Sequence, residues 1–191
     1  MLLRRLEQAE YVTTQAIDAV RPLVAGDDPS PEVLSLYGAL HLVGALIAGQ
    51  EADRAKARRF LATARKTAQR LGADRNDFAT EFGPTNVQLH GVSVAVELGD
   101  AGEALDIAAQ VDASGLSSQR QARFLLDVAR AHTQRRHIGE ATAALIEAEA
   151  LAPEHIHSHG LTRSTVSDLL NLAGRRATTE LGALAERVGA I

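Results

Sequence analysis

The stretch EFGPTNVQLHGVSVAVELGD, residues 81–100, admits two readings, and the fold turns on the choice. By alternation, Val92, Val94, Val96 and Leu98 point one way, as in a half-buried strand. By its flanks, Gly83-Pro84 opens a helix and Gly99-Asp100 closes one. A strand needs a neighbour for its N–H and C=O groups, and no second alternating run supplies one. Three valines lower helix propensity slightly, a penalty that packing overrides. Gly83 at the N-cap, Pro84 at the first helical position and Phe82 stapled against Val87 complete a helix start. The stretch is expected to be a helix.

The segments around it read the same way. LLRRLEQAEYVTTQAIDAV predicts a helix over 2–20, with a kink or an end at Pro22. PEVLSLYGALHLVGALIAG begins at Pro31 behind Ser30, a good N-cap. ADRAKARRFLATARKTAQRLG is an amphipath with Ala57, Leu61, Ala64, Ala68 and Leu71 on one face and Gly72 placed to end it. EALDIAAQV is short, SSQRQARFLLDVARAHTQRR carries serine at its cap, and IGEATAALIEAEALA stops at Pro153. STVSDLLNLAG and TTELGALAERVG close the chain.

Composition excludes several function classes. The 191 residues suit one domain with a sizeable core, and 46% of them are hydrophobic. The absence of Cys removes disulfide frameworks and thiolate metal sites. Apolar runs fall short of the ~20 residues that span a bilayer, and the first residues lack a signal-peptide pattern. The expectation is a cytoplasmic protein with no membrane partner. Twenty Lys+Arg against 24 Asp+Glu speak against a nucleic-acid surface on this chain, and 3% aromatics with no Trp against stacking platforms. No nucleophile elbow, phosphate loop or zinc-protease motif is present, so neither an enzyme nor a cofactor is expected.

Hairpins of this length invite a search for a period. LLDVARAHTQRRHIGEATAALIEAEALAPE follows the tetratricopeptide pattern, with Leu125, Val128, Ala129 and His132 in the first helix. Ala141, Leu145 and Ala148 fill the second helix, and Pro153 ends the unit. VSVAVELGDAGEALDIAAQV fits the same template with Val92, Ala95, Ala104 and Ala108, and RAKARRFLATA supplies Ala57, Leu61 and Ala64 of an earlier unit. The fold class expected is all-α: antiparallel hairpins stacked as a tetratricopeptide-like right-handed solenoid, one domain over 1–191. Its units fall at about 31–71, 84–112 and 117–153, with capping helices at about 163–190.

DFATEFGPTNVQLHGVSVAVELGD, RQARFLLDVARA and ALIEAEALAPE together resemble the C-terminal tetratricopeptide-like region of bacterial helix-turn-helix transcription regulators of the Xre type. The similarity runs over most of 30–175 and is densest over 78–155. The resemblance implies ligand or partner sensing and self-association, with DNA bound by a separate N-terminal domain. The chain opens in a repeat-like helix, so DNA binding is expected only through a domain outside it. A free-standing interaction scaffold is the alternative.

First helices of such hairpins line a concave groove. The template puts Asn86 and Arg123 at matching groove positions, His90 and Asp127 four residues on, and Arg130 a turn further. Two guanidiniums, an amide, an imidazole and a carboxylate suit a peptide or small anionic ligand. The structural alternative makes Arg123–Asp127 an exposed pair worth ~0.5 kcal/mol, with Asn86 and His90 merely packed. PEHIHSHG places His155, His157 and His159 in alternation, which reads as a solvated connector before a metal site. Leu169, Leu170, Leu172, Leu181, Leu184 and Val188 either cap the array or pair with a second copy in a homodimer.

Overall fold

A computed structural model describes residues 2–26 and 28–191, without the side chains of residues 2 and 3; Asp27 of the GDDPSP turn lies outside the described residues. Every regular element described is helical. Two compact units, 1–98 and 99–191, divide the chain where the sequence reading expects one repeat domain. The boundary falls between Leu98 and Gly99, inside the expected hairpin 84–112.

The first unit comprises α1 (Leu2–Val24), α2 (Pro31–Gln50), α3 (Arg54–Leu71) and α4 (Pro84–Glu97), with a 3-10 turn at Asp77–Ala79. Ser30 Oγ accepts from Val33 N at 3.4 Å to start α2, and Asp53 Oδ1 accepts from Lys56 N at 2.9 Å to start α3. Gly72, at φ +80°, ends α3 as expected. α1 does not end at Pro22 but runs two residues on, to Val24. Pro22 lies within its last turn, where the missing N–H forfeits a single bond.

α2 and α3 form a hairpin; α1 packs on α2, and α4 packs on both. α2 is long and apolar enough to cross a membrane on length and composition, contrary to the sequence expectation. Over half of its most apolar window is buried inside the first unit, which is where a core helix sits. α4 is the stretch that opened the sequence analysis. Val92, Val94 and Val96 are buried in it, and so are Leu89 and Ala95, which an alternating strand would expose. The apparent period of two arises because almost all sides of α4 are covered. Phe82 and Val87 share one core cluster, the staple read from the sequence.

Glycine at the N-cap of α4 has no side chain to accept from the exposed N–H groups. Asp74 performs that role from outside, its Oδ1 accepting from Thr85 N at 3.0 Å. A Cβ on Gly83 would collide with the Asp74 carboxylate and backbone, so close approach is what requires glycine there.

The second unit comprises α5 (Ala101–Ala108), α6 (Ser118–Gln134), α7 (Ile138–Leu151), α8 (Pro153–Ser158), α9 (Gly160–Ala173) and α10 (Thr179–Val188). α6 and α7 form a hairpin; α5 packs on α6, and α9 packs on both. This is the contact order of the first unit: a helix on the first arm, a hairpin, and a following helix on both arms. Residues 153–158 are a helix rather than a connector, because Pro153 starts it and the fully buried Ile156 anchors it. Leu169, Leu181, Leu184 and Val188 are buried in the core of this unit, so they cap it and offer no pairing surface. Of that group only Leu172 is exposed.

Three helix–turn–helix segments share one register. Each first helix is followed by a left-handed residue, Ala52, Gly99 or Arg136, and then by the N-cap of the second, Asp53, Asp100 or His137. At two of the turns the backbone bonds coincide: Ala52 N to Gly49 O with Asp53 N to Ala48 O, and Arg136 N to Thr133 O with His137 N to His132 O. Counting back from the turn, Leu42, Leu89 and Leu126 are equivalent and buried, as are Ala45, Val92 and Ala129. Counting forward, Ala57, Ala104 and Ala141 are all fully buried. Small side chains at these positions let backbones approach closely.

Candidate functional site

The register assigns three equivalent first-helix faces: Ala39, Val43 and Leu46 on α2; Asn86, His90 and Ser93 on α4; and Arg123, Asp127 and Arg130 on α6. The face changes from apolar through neutral polar to charged. The structure brings together the candidates within each unit: Asn86 with His90 in the first, Arg123 with Asp127 and Arg130 in the second.

Asn86 is 1% exposed. Its Nδ2 donates to Thr80 O at 3.4 Å, which ties α4 to the loop before it. Its Oδ1 has no hydrogen-bond partner among the described residues, an omission that costs ~1–3 kcal/mol when the group is buried. His90 is half-buried, its Nδ1 3.0 Å from Asn86 O. In this conformation the pair presents little polar surface to a ligand.

α6 starts on Ser117, whose Oγ accepts from Arg120 N at 3.3 Å. Its apolar face, Ala122, Leu126 and Ala129, enters the core, leaving Arg123, Asp127 and Arg130 along the adjoining edge. Asp127 is 1% exposed, whereas the Arg123 and Arg130 side chains keep 29% and 16% of their surface. Arg130 Nη1 donates to Asp127 Oδ1 at 3.0 Å and Arg123 Nε to Oδ2 at 3.4 Å. Arg123–Asp127 is therefore not an exposed surface pair: a buried carboxylate orients two partly exposed guanidiniums.

Arg123 has a further partner that the sequence reading missed. Its Nη1 is 2.6 Å from Nε2 of His159, the residue between α8 and α9. His159 is also the N-cap of α9, with Nδ1 3.3 Å from Leu161 N. The His155 ring lies beside it, centroids 5.5 Å apart. Burial pushes the His159 pKa below the usual imidazole value, and neighbouring Arg123 and His155 push it the same way. The available sequence signal was the placement of PEHIHSHG against a helix start, which makes one histidine a cap.

The three alternating histidines do not converge. His157 Nε2 lies 2.7 Å from Glu149 Oε1, away from His155 and His159. Glu149 also receives Arg187 bidentately, at 2.7 and 2.6 Å, joining α7, α8 and α10. That guanidinium, followed by the His157 contact, holds the Glu149 carboxyl below its usual pKa. Among the described residues no group of three His, Cys, Asp or Glu side chains is placed to hold a metal ion.

Two other imidazoles share the downward shift of His159. Burial lowers the His41 pKa, outweighing its bond to Tyr37 O, and burial also lowers that of His132. All three keep the neutral form to lower pH in the folded chain than in the unfolded chain, which protonates near pH ~6.5. The unfolded state thus binds more protons as pH falls through that value, and folding stability drops. Melting followed by circular dichroism should give a lower Tm at pH ~5.5 than at pH ~7.5. A Tm that holds or rises over that interval contradicts the assignment. The depressed carboxyls of Asp77, Asp112 and Glu149 act only at lower pH, below the usual carboxylate range.

Compared with family models, curated proteins and solved structures, the chain matches none.

Proposed function

We propose that this chain is a tetratricopeptide-like right-handed solenoid serving as the ligand-sensing and self-association part of a helix-turn-helix transcription regulator. The observation that carries the repeat reading is the shared register of the three helix–turn–helix segments, with equivalent buried positions on both arms. Helix pairs of this kind stack into superhelices whose first helices face one groove. The binding reading rests on Asp127, which holds Arg123 and Arg130 in place before any ligand arrives. Preorganised guanidiniums spare part of the entropy cost of binding an anion or peptide. On this reading the chain is a cytoplasmic binding module rather than an enzyme. On the same reading it self-associates, and DNA is contacted by a separate domain.

Calorimetric titration of acidic peptides into the full chain and into Arg123→Ala tests the binding reading. Loss of the guanidinium should weaken binding at least ~tenfold, about 1.4 kcal/mol, with the fold retained. Equal affinity in the two proteins overturns the site. A helix-turn-helix segment in the full reading frame is expected for a regulator; a frame without one favours the free-standing scaffold.

A further inference from the structure

Asn86 holds the position on α4 that Arg123 holds on α6, yet the loop before α4 closes over it and serves half of its amide. Nδ2 donates to Thr80 O at 3.4 Å, while the buried Oδ1 has no partner among the described residues. Turning the amide over cures nothing, because the oxygen would then face the Thr80 carbonyl, acceptor against acceptor. A buried acceptor left unpaired calls for a physical reason.

The cover is itself under strain. Phe78, Ala79 and Glu81 hold left-handed backbone at φ +52°, +58° and +47°, a conformation that L side chains disfavour. Phe78 is 68% exposed, so its ring gives the loop no anchor in the core. Arg75 N donates to Phe82 O at 2.9 Å and closes the base of the loop, and Asn76 Oδ1 accepts from Glu81 N at 3.2 Å across it.

A latch at Asp77 opposes the strain. Its Oδ2 accepts from Oγ of the fully buried Ser35 on α2 at 2.7 Å. Arg75 donates to both carboxylate oxygens, at 2.8 and 3.0 Å, and reaches Glu32 of α2 at 3.3 Å. Bonds from Arg75 and then Ser35 hold the Asp77 carboxyl below its usual pKa. Strain against latch makes the loop a two-state element whose balance a ligand can shift.

We infer that residues 76–81 are a strap closed over Asn86, and that an extended peptide backbone displaces it. A peptide C=O takes the place of the Thr80 carbonyl on Nδ2, and a peptide N–H supplies the donor that Oδ1 lacks. Opening lets the three strained residues relax, while Phe82 stays in the core with Arg75 N on its carbonyl. This rests on the groove reading proposed above and adds its regulation: the first-unit position is blocked until the strap opens.

The test uses the full chain, 15N-labelled, with Asp77→Ala to free the latch and Ala79→Gly to relieve the closed strap. Without ligand, hydrogen exchange of the Glu81 N–H should quicken at least ~fivefold in Asp77→Ala and slow about fivefold in Ala79→Gly. The Arg75 N–H should keep its rate in both. The probe is acetylated tetra-alanine amide, a neutral backbone. Its control is the matching tetramer of N-methylglycine, which has the same composition without N–H groups along the backbone. Tetra-alanine should shift the Asn86 side-chain NH2 signals, identified by their loss in Asn86→Ser, and the control should not. Affinity should follow the strap, at least ~fivefold tighter for Asp77→Ala and about fivefold weaker for Ala79→Gly. Unchanged Glu81 exchange in both variants, equal affinity across the three proteins, or equal binding of the control overturns the strap. So does an Arg75 N–H that quickens together with Glu81, which marks unfolding of the loop base. Acidic peptides that still bind through Arg123 leave the ligand-sensing reading standing in any of these events; no binding by tetra-alanine or by any acidic peptide removes both.

Discussion

Phe82→Ala should cost the first unit ~3–5 kcal/mol, the usual range for a large aromatic removed from a closed core. Phe82 has no exposed surface, and its ring lies among Leu42, Ala64, Ala68 and Val87. It does two jobs. Immediately before the N-cap of α4 it staples that helix, and its carbonyl accepts from Arg75 N at 2.9 Å, tying down the loop between α3 and α4. That loop needs anchoring, since Phe78, Ala79 and Glu81 all have positive φ, and non-glycine residues pay ~1–2 kcal/mol each for such a conformation.

The same ring explains Gly38. A Cβ at that position would overlap the outer carbons of the Phe82 ring, which closely packed neighbours leave no room to move. Gly38→Val should therefore destabilise about as much as Phe82→Ala, through overpacking rather than a cavity. The pair should be strongly non-additive: Gly38→Ala combined with Phe82→Leu should cost less than the sum of the two single changes. Urea unfolding of the single and double variants measures this. Additive losses, or a cost under ~1 kcal/mol for Phe82→Ala, would show that the ring does not rest on Gly38.

The second large effect is expected at Asp127. Removing one partner of a buried ion pair leaves uncompensated charge, with costs of ~3–5 kcal/mol. Asp127→Ala takes the buried carboxylate away from two guanidiniums, one only 16% exposed, on the edge of α6. Arg123→Ala is milder, because Asp127 keeps Arg130 at 3.0 Å. Asp127→Asn retains an acceptor without the charge and should fall between them. The expected order of destabilisation is Asp127→Ala, then Asp127→Asn, then Arg123→Ala, read from denaturant midpoints at constant m. An Asp127→Ala midpoint at or above that of Arg123→Ala would mean the carboxylate is not the hub of the cluster.

These effects show where sequence and tertiary structure divided the work. Helices, caps and turns were legible because they are local. Ser30-Pro31 and Gly72 act on backbone groups within one turn of themselves, and no distant contact alters that chemistry. The hairpin register was legible too, because Ala57, Ala104 and Ala141 repeat at one distance from their turns. The equivalence of Asn86 and Arg123 followed from that register and holds in the residue count. The extent of Pro22's helix and the existence of α8, read as a connector, were less accessible, since one missing bond or one buried Ile156 decides them.

What the local pattern left open was exposure. Asn86 and Arg123 occupy equivalent positions, yet one is sealed beneath the loop before α4 and the other keeps contact with solvent. The final leucines look alike whether they cap a core or meet a second copy, and only the packing of α9 and α10 into the second unit puts them inside. His159 reaches Arg123 from 36 residues away, a pairing no spacing rule encodes. Sequence by itself determined most of the helices, several of their caps and which positions are equivalent, because short-range hydrogen bonds and sterics set those. The tertiary structure alone decided which equivalent positions are buried, which charges meet and what His159 faces, because burial and long-range contact depend on everything packed around a residue.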